Sequence, residues 1–336
     1  IPWSREYNKE DVKRFNSYIN VYDLTEIYAP VFDNSTITQC WSNTANYEAW
    51  PNNSMFYNTS NKLYYAFYSP QSGHMVYDGG IVYRTSADLT EWSDIRVVSP
   101  ATEEGIVVTG AGYCENGDIL IYCAEGILLD NSYGFFLRSS DNGESWKREN
   151  IVLDDENATD NGVRFQRGEV LSDGRLISSY FYDSSNINKI CISNDNGKTW
   201  KSADFISNSI ANGEFHFQLL NNGCILCVER TTDGIYATVS TDDGKSFSAE
   251  KKIPISEGSG QCSKTPTEIL YNEKTDDIEI YWIDRYGTGG LCCSYSTGNS
   301  LCEWICENGE YAGFSTKVAA LGANANNDQG YPEIFV

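Results

Sequence analysis

Two arginines close runs of similar make-up, Cys224-Ile-Leu-Cys-Val-Glu229-Arg230 and Ile278-Glu-Ile-Tyr-Trp-Ile-Asp284-Arg285. A guanidinium is a planar fork of donors, so two of them at equivalent ends of equivalent strands suit a carboxylate held bidentately. Ion pairs with Glu229 or Asp284 are the competing use. The only two histidines, His74 and His216, lie four residues before Asp78 and two residues after Glu214. With Asp78 they offer ligands for a divalent metal that activates water; the plainer role is that of packed, hydrogen-bonding histidines. Asp78 itself precedes Gly79-Gly80, a setting in which a carboxylate commonly braces a turn. Aromatic residues make up 13% of the chain, and Trp3, Trp41, Tyr47, Trp50 and Tyr57 gather near its start, with faces that suit sugar rings as well as a core.

These residues need a frame, and an internal repeat supplies it. Ser-x-Asp-x-Gly-x-Ser/Thr-aromatic occurs at Ser139–Trp146, Ser193–Trp200 and Ser240–Phe247. Decayed copies start at Ser86, one residue short and without the Gly, and at Ser294. The first serines are 53, 54, 47 and 54 residues apart, a period that marks a propeller or solenoid array. Within each copy the Asp is placed to accept backbone hydrogen bonds, the Gly to take a positive φ and the aromatic ring to anchor the hairpin between blades.

Ahead of every copy lie a turn and two apolar runs. The turns are Asn61-Lys62, Asn116-Gly117, Asp173-Gly174, Asn222-Gly223 and Asp276-Asp277, and the runs are rich in β-branched and aromatic residues. Such turns between such runs signal β-hairpins, and helix is scarce. Five repeats give five blades, and the ends, about 18–41 and 331–336, hold enough strand for a sixth that closes the ring. The expected fold is all-β, a six-bladed β-propeller of four-stranded antiparallel blades, with five blades as the alternative count. The unbroken period predicts a single domain over 1–336, in which 1–45 is an N-terminal extension contributing to the closing blade.

The repeat resembles the Asp-box of the sialidases, where it lies on the face away from the active site and so implies fold rather than chemistry. The resemblance extends to single residues. In that family the fourth blade opens on a glutamate, passes a hairpin and ends its second strand with the second arginine of a carboxylate-binding triad. Glu214 and Arg230, around Asn222-Gly223, reproduce that order. By the same resemblance Arg285 is the third arginine, Tyr331 in Gly330-Tyr331-Pro is the nucleophile, Glu214 its base, and Asp78 the acid/base. An acid/base role for Asp78 requires burial that raises its pKa. The chain departs from the family at Glu48-Ala-Trp50-Pro-Asn-Asn53, where the first triad arginine belongs. Arg5, Arg14, Arg164 and Arg167 are the candidate replacements, and Trp50 is a candidate sugar contact.

The resemblance thus implies an extracellular, cell-surface or virion-associated sialidase-type glycosidase that acts on a sialoglycoconjugate or other acidic sugar without a cofactor. The alternatives are a glycan-binding propeller without catalysis (a lectin, adhesin or phage receptor-binding protein) and a metal-dependent hydrolase using His74, Asp78 and His216. A net charge of −23 without a basic cluster excludes nucleic acid and anionic membranes as partners, since the electrostatic term would repel, and no apolar run is long enough for membrane insertion. Eleven cysteines cannot all pair internally, and Cys123, Cys191, Cys224, Cys227, Cys292 and Cys293 fall within predicted strands as small buried hydrophobes. Cys224-x-x-Cys227 lacks the second pair that a zinc site requires. Asn34, Asn58 and Asn157 head sequons that permit glycosylation.

Overall fold

The computed structural model describes residues 48–50, 54–72, 78–126, 133–155, 163–182, 188–207, 214–231, 234–255, 267–283, 291–296, 300–307 and 313–319. Ile37–Phe215 form one compact unit, and the chain from His216 onward belongs to a second. In the first unit β1 (Glu48–Trp50) and β2 (Met55–Asn58) both pair with β3 (Leu63–Gln71), which continues through β4 (Ile81–Ser86) to β5 (Arg96–Ser99). Next come β6 (Ile106–Tyr113), β7 (Ile119–Glu125), β8 (Tyr133–Ser139) and β9 (Lys147–Asn150), an antiparallel blade. The short β10 (Leu153–Asp154) precedes a second such blade of β11 (Val163–Val170), β12 (Leu176–Tyr182), β13 (Lys189–Ser193) and β14 (Trp200–Ser202). Two more four-stranded sheets follow. One is β15 (Phe215–Leu219), β16 (Ile225–Arg230), β17 (Ile235–Ser240) and β18 (Lys251–Lys252). The other is β19 (Thr267–Asn272), β20 (Asp277–Ile283), β21 (Leu291–Ser296) and β22 (Phe314–Ala319), interrupted by helix α1 (Ser300–Cys306).

The five blades expected from the repeats are therefore present, with one refinement. Blades two and three join into a nine-stranded sheet, because β6 and β11 meet in parallel at Gly110↔Gly168 and β10 adds to β14. Glycine permits that meeting: a Cβ on Gly110 would lie 2.6 Å from the Gly168 carbonyl oxygen. The segments assigned to a sixth blade, 18–41 and 331–336, lie outside the described residues.

Local chemistry explains the hairpins. Leu220 N–H donates to the Cys224 carbonyl, Gly223 N–H to Leu220, and Gly223 has φ 83°; Cys114–Asp118 and Leu171–Arg175 repeat this around Gly117 and Gly174. Each is a type I turn ended by a residue in the left-handed region, the conformation glycine adopts without steric cost. Cys224 thus belongs to the turn and not to the strand, while Cys123, Cys191, Cys227, Cys292 and Cys293 are buried within strands as expected.

The boxes also act locally. In the second, Ser193 Oγ donates to Asp195 Oδ1 (2.8 Å) and accepts from Gly197 N–H (2.9 Å), while Thr199 gives its N–H and hydroxyl to the Asp195 carboxylate (2.9 and 2.7 Å). The boxes at Ser139 and Ser240 repeat the set. Two consecutive residues, not the Gly alone, have positive φ: Asn142, Asn196 and Asp243 lie at 57°, 58° and 64° ahead of their glycines. Asn and Asp tolerate that region better than other side chains. The shortened copy keeps the loop, with Leu89 N–H bonded to Ser86 Oγ and Thr90 N–H to Asp88.

The fifth copy differs from expectation. Box serines end the third strand of each blade, paired with Tyr64, Ile119, Leu176 and Ile225, and the residue that does so opposite Ile278 is Ser296, not Ser294. No box follows it: α1 begins at Ser300, which shares a hydrogen bond with Ser296.

The core sits between blades. Ile119, Ile121 and Cys123 of β7 pack with Tyr65, Phe67, Ile81 and Tyr83 of blade one, while Leu120 and Tyr122 turn the other way, to Phe165, Tyr180 and Trp200 of blade three. Both faces of β7 are thus buried, which is why its sequence is a continuous apolar run. Box backbones bind the preceding blade as well: Asn142 and Gly143 carbonyls accept from Tyr65 and Tyr83, and the Asn196 carbonyl from Arg138. Asn58, a sequon head, is fully buried and donates to Asn142 Oδ1, so folding removes it as a glycosylation site.

Candidate active site

The register provides a common ruler for the strand ends opposite the boxes. Five residues beyond the partner of each box serine, the second strands carry Ser69, Ala124, Phe181, Arg230 and, in blade five, Ile283. Arg230 therefore ends β16 as the sequence implies. Arg285 follows Ile283 by two residues and lies outside the described residues, as do Tyr331, His74, Arg5 and Arg14.

Glu214 is buried immediately before β15, and Glu229, next to Arg230, is also buried. Arg167 is 2% exposed on β11, a rare environment for a guanidinium. Its placement has a local cause. The β11–β12 register skips between Phe165 and Arg167, so Phe165 opposes Tyr180 while Arg167 opposes Ser179. Without that bulge the two residues would share a face; with it, Phe165 joins the Tyr122–Trp200 cluster and Arg167 falls on the other side. The same skip in β6, between Val108 and Gly110, frees the Val108 N–H, which bonds Ser69 Oγ at 3.0 Å. Arg164 opposes Phe181 and Trp50 opposes Ser69, so both are fixed in backbone register.

Asp78 departs from the requirement for an acid. Its side chain is exposed, accepts from Ser72 N–H (2.9 Å) and Ser72 Oγ (2.5 Å), and is held below the usual carboxylate range by those two bonds, the hydroxyl first. Instead of being raised by burial, its pKa is lowered, and the carboxylate ties the end of β3 to the approach of β4. Gly79 is part of that closure, since a Cβ there would meet the Pro70 carbonyl oxygen at 1.7 Å. His216 is buried on β15 with Nε2 3.3 Å from Glu268 Oε2 of β19, a pairing that the sequence did not suggest. Among the described residues no group of three His, Cys, Asp or Glu side chains is arranged to hold a metal.

Sequence reasoning also passed over Gln71 and Thr109. Both are buried, and among the described residues the Gln71 amide and the Thr109 hydroxyl make no hydrogen bond. Buried polar groups nearly always find partners. Nothing in composition distinguishes them from polar residues in a loop.

A family model of BNR repeat-like domains matches residues 80–268, more than half of the chain. The chain belongs to the sialidase/BNR superfamily. A sialidase from Clostridium perfringens is 26% identical over 280 residues, which are 79% of this chain and 63% of that protein, so this chain spans less than two thirds of its relative. Among solved structures, a Dyadobacter fermentans protein of unknown function has a TM-score of 0.62 at 16% identity, covering 82% of this chain and 84% of that one. The NanB sialidase from Streptococcus pneumoniae has a TM-score of 0.58 at 14% identity, covering 84% of this chain and 64% of its own. At such identities the likeness carries the all-β propeller fold of the superfamily. No helix among the described residues is long and apolar enough to cross a membrane.

Proposed function

We propose that this chain is a glycoside hydrolase of sialidase type that removes terminal sialic acid, or a related acidic sugar, from glycans with retention of configuration. One observation carries the reading. In a member of the sialidase/BNR superfamily, a buried Glu214 opens β15 and Arg230 closes β16 across the Asn222-Gly223 hairpin, in the order that a tyrosine-base and carboxylate-binding pair requires. The chain 1–336 then forms a single six-bladed domain, with 1–45 contributing to the closing blade, and it works outside a cell or at a surface.

Tyr331 attacks the anomeric carbon and passes its phenolic proton to Glu214, while Asp78 protonates the leaving oxygen. A phenol suits this carbon because it repels the sugar carboxylate less than an Asp or Glu nucleophile would. Asp78, now a carboxylate, then takes a proton from the water that displaces Tyr331, and Glu214 returns its proton to the departing phenolic oxygen. In the free protein Ser72 keeps Asp78 ionised; a bound sugar that displaces water from this carboxylate pushes its pKa up and makes it an acid. Arg230 and Arg285 grip the substrate carboxylate, and Arg167, buried on β11, supplies the guanidinium that 48–53 lacks, with Arg164 and Trp50 contacting the sugar.

The absence of arginine at 48–53 favours a second reading, glycan binding without hydrolysis. Both are tested by release of free sialic acid from α-linked sialoglycans. Wild type turns over, and Tyr331→Phe loses at least about 1,000-fold. If well-folded wild type releases nothing, the hydrolase reading falls, and retention of the same glycans on an array by both proteins puts binding in its place.

A further inference from the structure

The sheets β15–β18 and β19–β22, blades four and five, are tied together at both ends of their inner strands. At the box end Asn221, in the β15–β16 turn, gives its side-chain amide to the Glu273 carbonyl (2.6 Å) and to Asp276 Oδ1 (2.8 Å), and its N–H to the Tyr271 hydroxyl (2.9 Å). Between the ends the contact is apolar, with Leu220, Leu226 and Val228 packed with Ile269, Ile280 and Trp282. At the opposite end the tie is His216, whose Nε2 stands 3.3 Å from Glu268 Oε2, with both side chains largely buried.

His216 and Glu268 are each the second residue of their strands, β15 and β19. Glu268 opposes Tyr281, two residues before Ile283, and Ile283 shares the level at which Arg230 ends β16. Parting a buried pair leaves a charge both unhydrated and unpaired, so this contact fixes one spacing between the blades, whereas the apolar layer beside it is non-directional.

We propose, resting on the carboxylate-binding role given above to Arg230, that His216 is a positioning residue: by holding Glu268 it sets the spacing of β16 from β19, and with it the place from which Arg230 meets the substrate carboxylate. A guanidinium holds a carboxylate bidentately only when both N–H groups are aligned with both oxygens, so a small shift of the strand that carries it weakens the grip. His216 touches no substrate in this scheme, and its effect travels through Arg230.

The test is affinity for free sialic acid, which carries the carboxylate and is not turned over, measured on the full chain by ligand-observed NMR. His216→Asn is too short to reach Glu268, and its Kd rises about 10-fold. His216→Gln puts an amide nitrogen where Nε2 stood, and its Kd stays near the wild-type value. The urea midpoint, followed alongside, shows whether each variant is folded. Should His216→Asn unfold, Glu268→Asp, shorter by a methylene, takes its place with the same expectation. In an Arg230→Lys background, where a flexible ammonium needs no such alignment, His216→Asn costs little. An unchanged Kd in folded His216→Asn, an equal loss in His216→Gln, or an equal loss in the Arg230→Lys background overturns the role of His216 and leaves the proposed function standing. Wild type that neither binds sialic acid nor releases it from glycans overturns both.

Discussion

The two ends of the strands in these blades obey different rules. At the box end the loops at Ser139, Ser193 and Ser240 are each closed within eight residues, and serine, aspartate and glycine satisfy one another in the same way in all three. At the opposite end the second strands finish on Ser69, Ala124, Phe181, Arg230 and Ile283, with no residue in common. The box end repeats because it has one task in each blade that carries a box. The other end varies from blade to blade, and it is there that the proposed site residue Arg230 closes its strand.

If the ends are separable, substitutions at one should change stability and at the other activity. The largest effect is expected for Trp200→Ala. Trp200 is fully buried, stacked on Phe136 at 5.5 Å, and its loss leaves a cavity between blades two and three. Unfolding in urea should show a loss of about 3–5 kcal/mol. Arg230→Ala should cut kcat/KM on a sialylated substrate roughly 100-fold by removing a carboxylate partner, with the urea midpoint nearly unchanged. A large loss of stability there with kcat/KM intact would erase the distinction.

Gly110→Ala sharpens the comparison from the middle of the strands. Its Cβ would press on the Gly168 backbone, forcing β6 from β11 at a cost of about 1–3 kcal/mol. The smallest effect is an acid dependence at the box end. Asp141 is held at about 2, against an ordinary 3.8, first by the Ser145 hydroxyl and then by Ser139 and the Ser145 amide. A depressed carboxylate stabilises the fold fully above its unfolded pKa and loses that contribution as pH falls through the folded value. The urea midpoint of wild type should therefore drop between about pH 4 and pH 2 more steeply than that of Asp141→Asn.

Much of the box end was legible in the chain. The serine spacing gave the blades, and Asn116-Gly117, Asp173-Gly174 and Asn222-Gly223 gave the hairpins, because turns and boxes are satisfied by residues a few positions away. The misreadings arose where local pattern and pairing disagree. Ser294 matches the motif, yet pairing with Ile278 selects Ser296, and the chain then leaves the box for α1. The ladder aligns Ile283 with Arg230, two residues short of Arg285.

Neighbours along the chain set the all-β class, the repeat, the turns and the residue types on which the proposed acidic-sugar site rests. Contacts distant in sequence set the rest: a bulge turns Arg167 from the Phe165 face, Asp78 is an exposed carboxylate bound to Ser72, and His216 meets Glu268. Burial, register and the pKa of a side chain are set by residues distant in sequence, whose approach depends on strand pairing and on the packing of one sheet against the next.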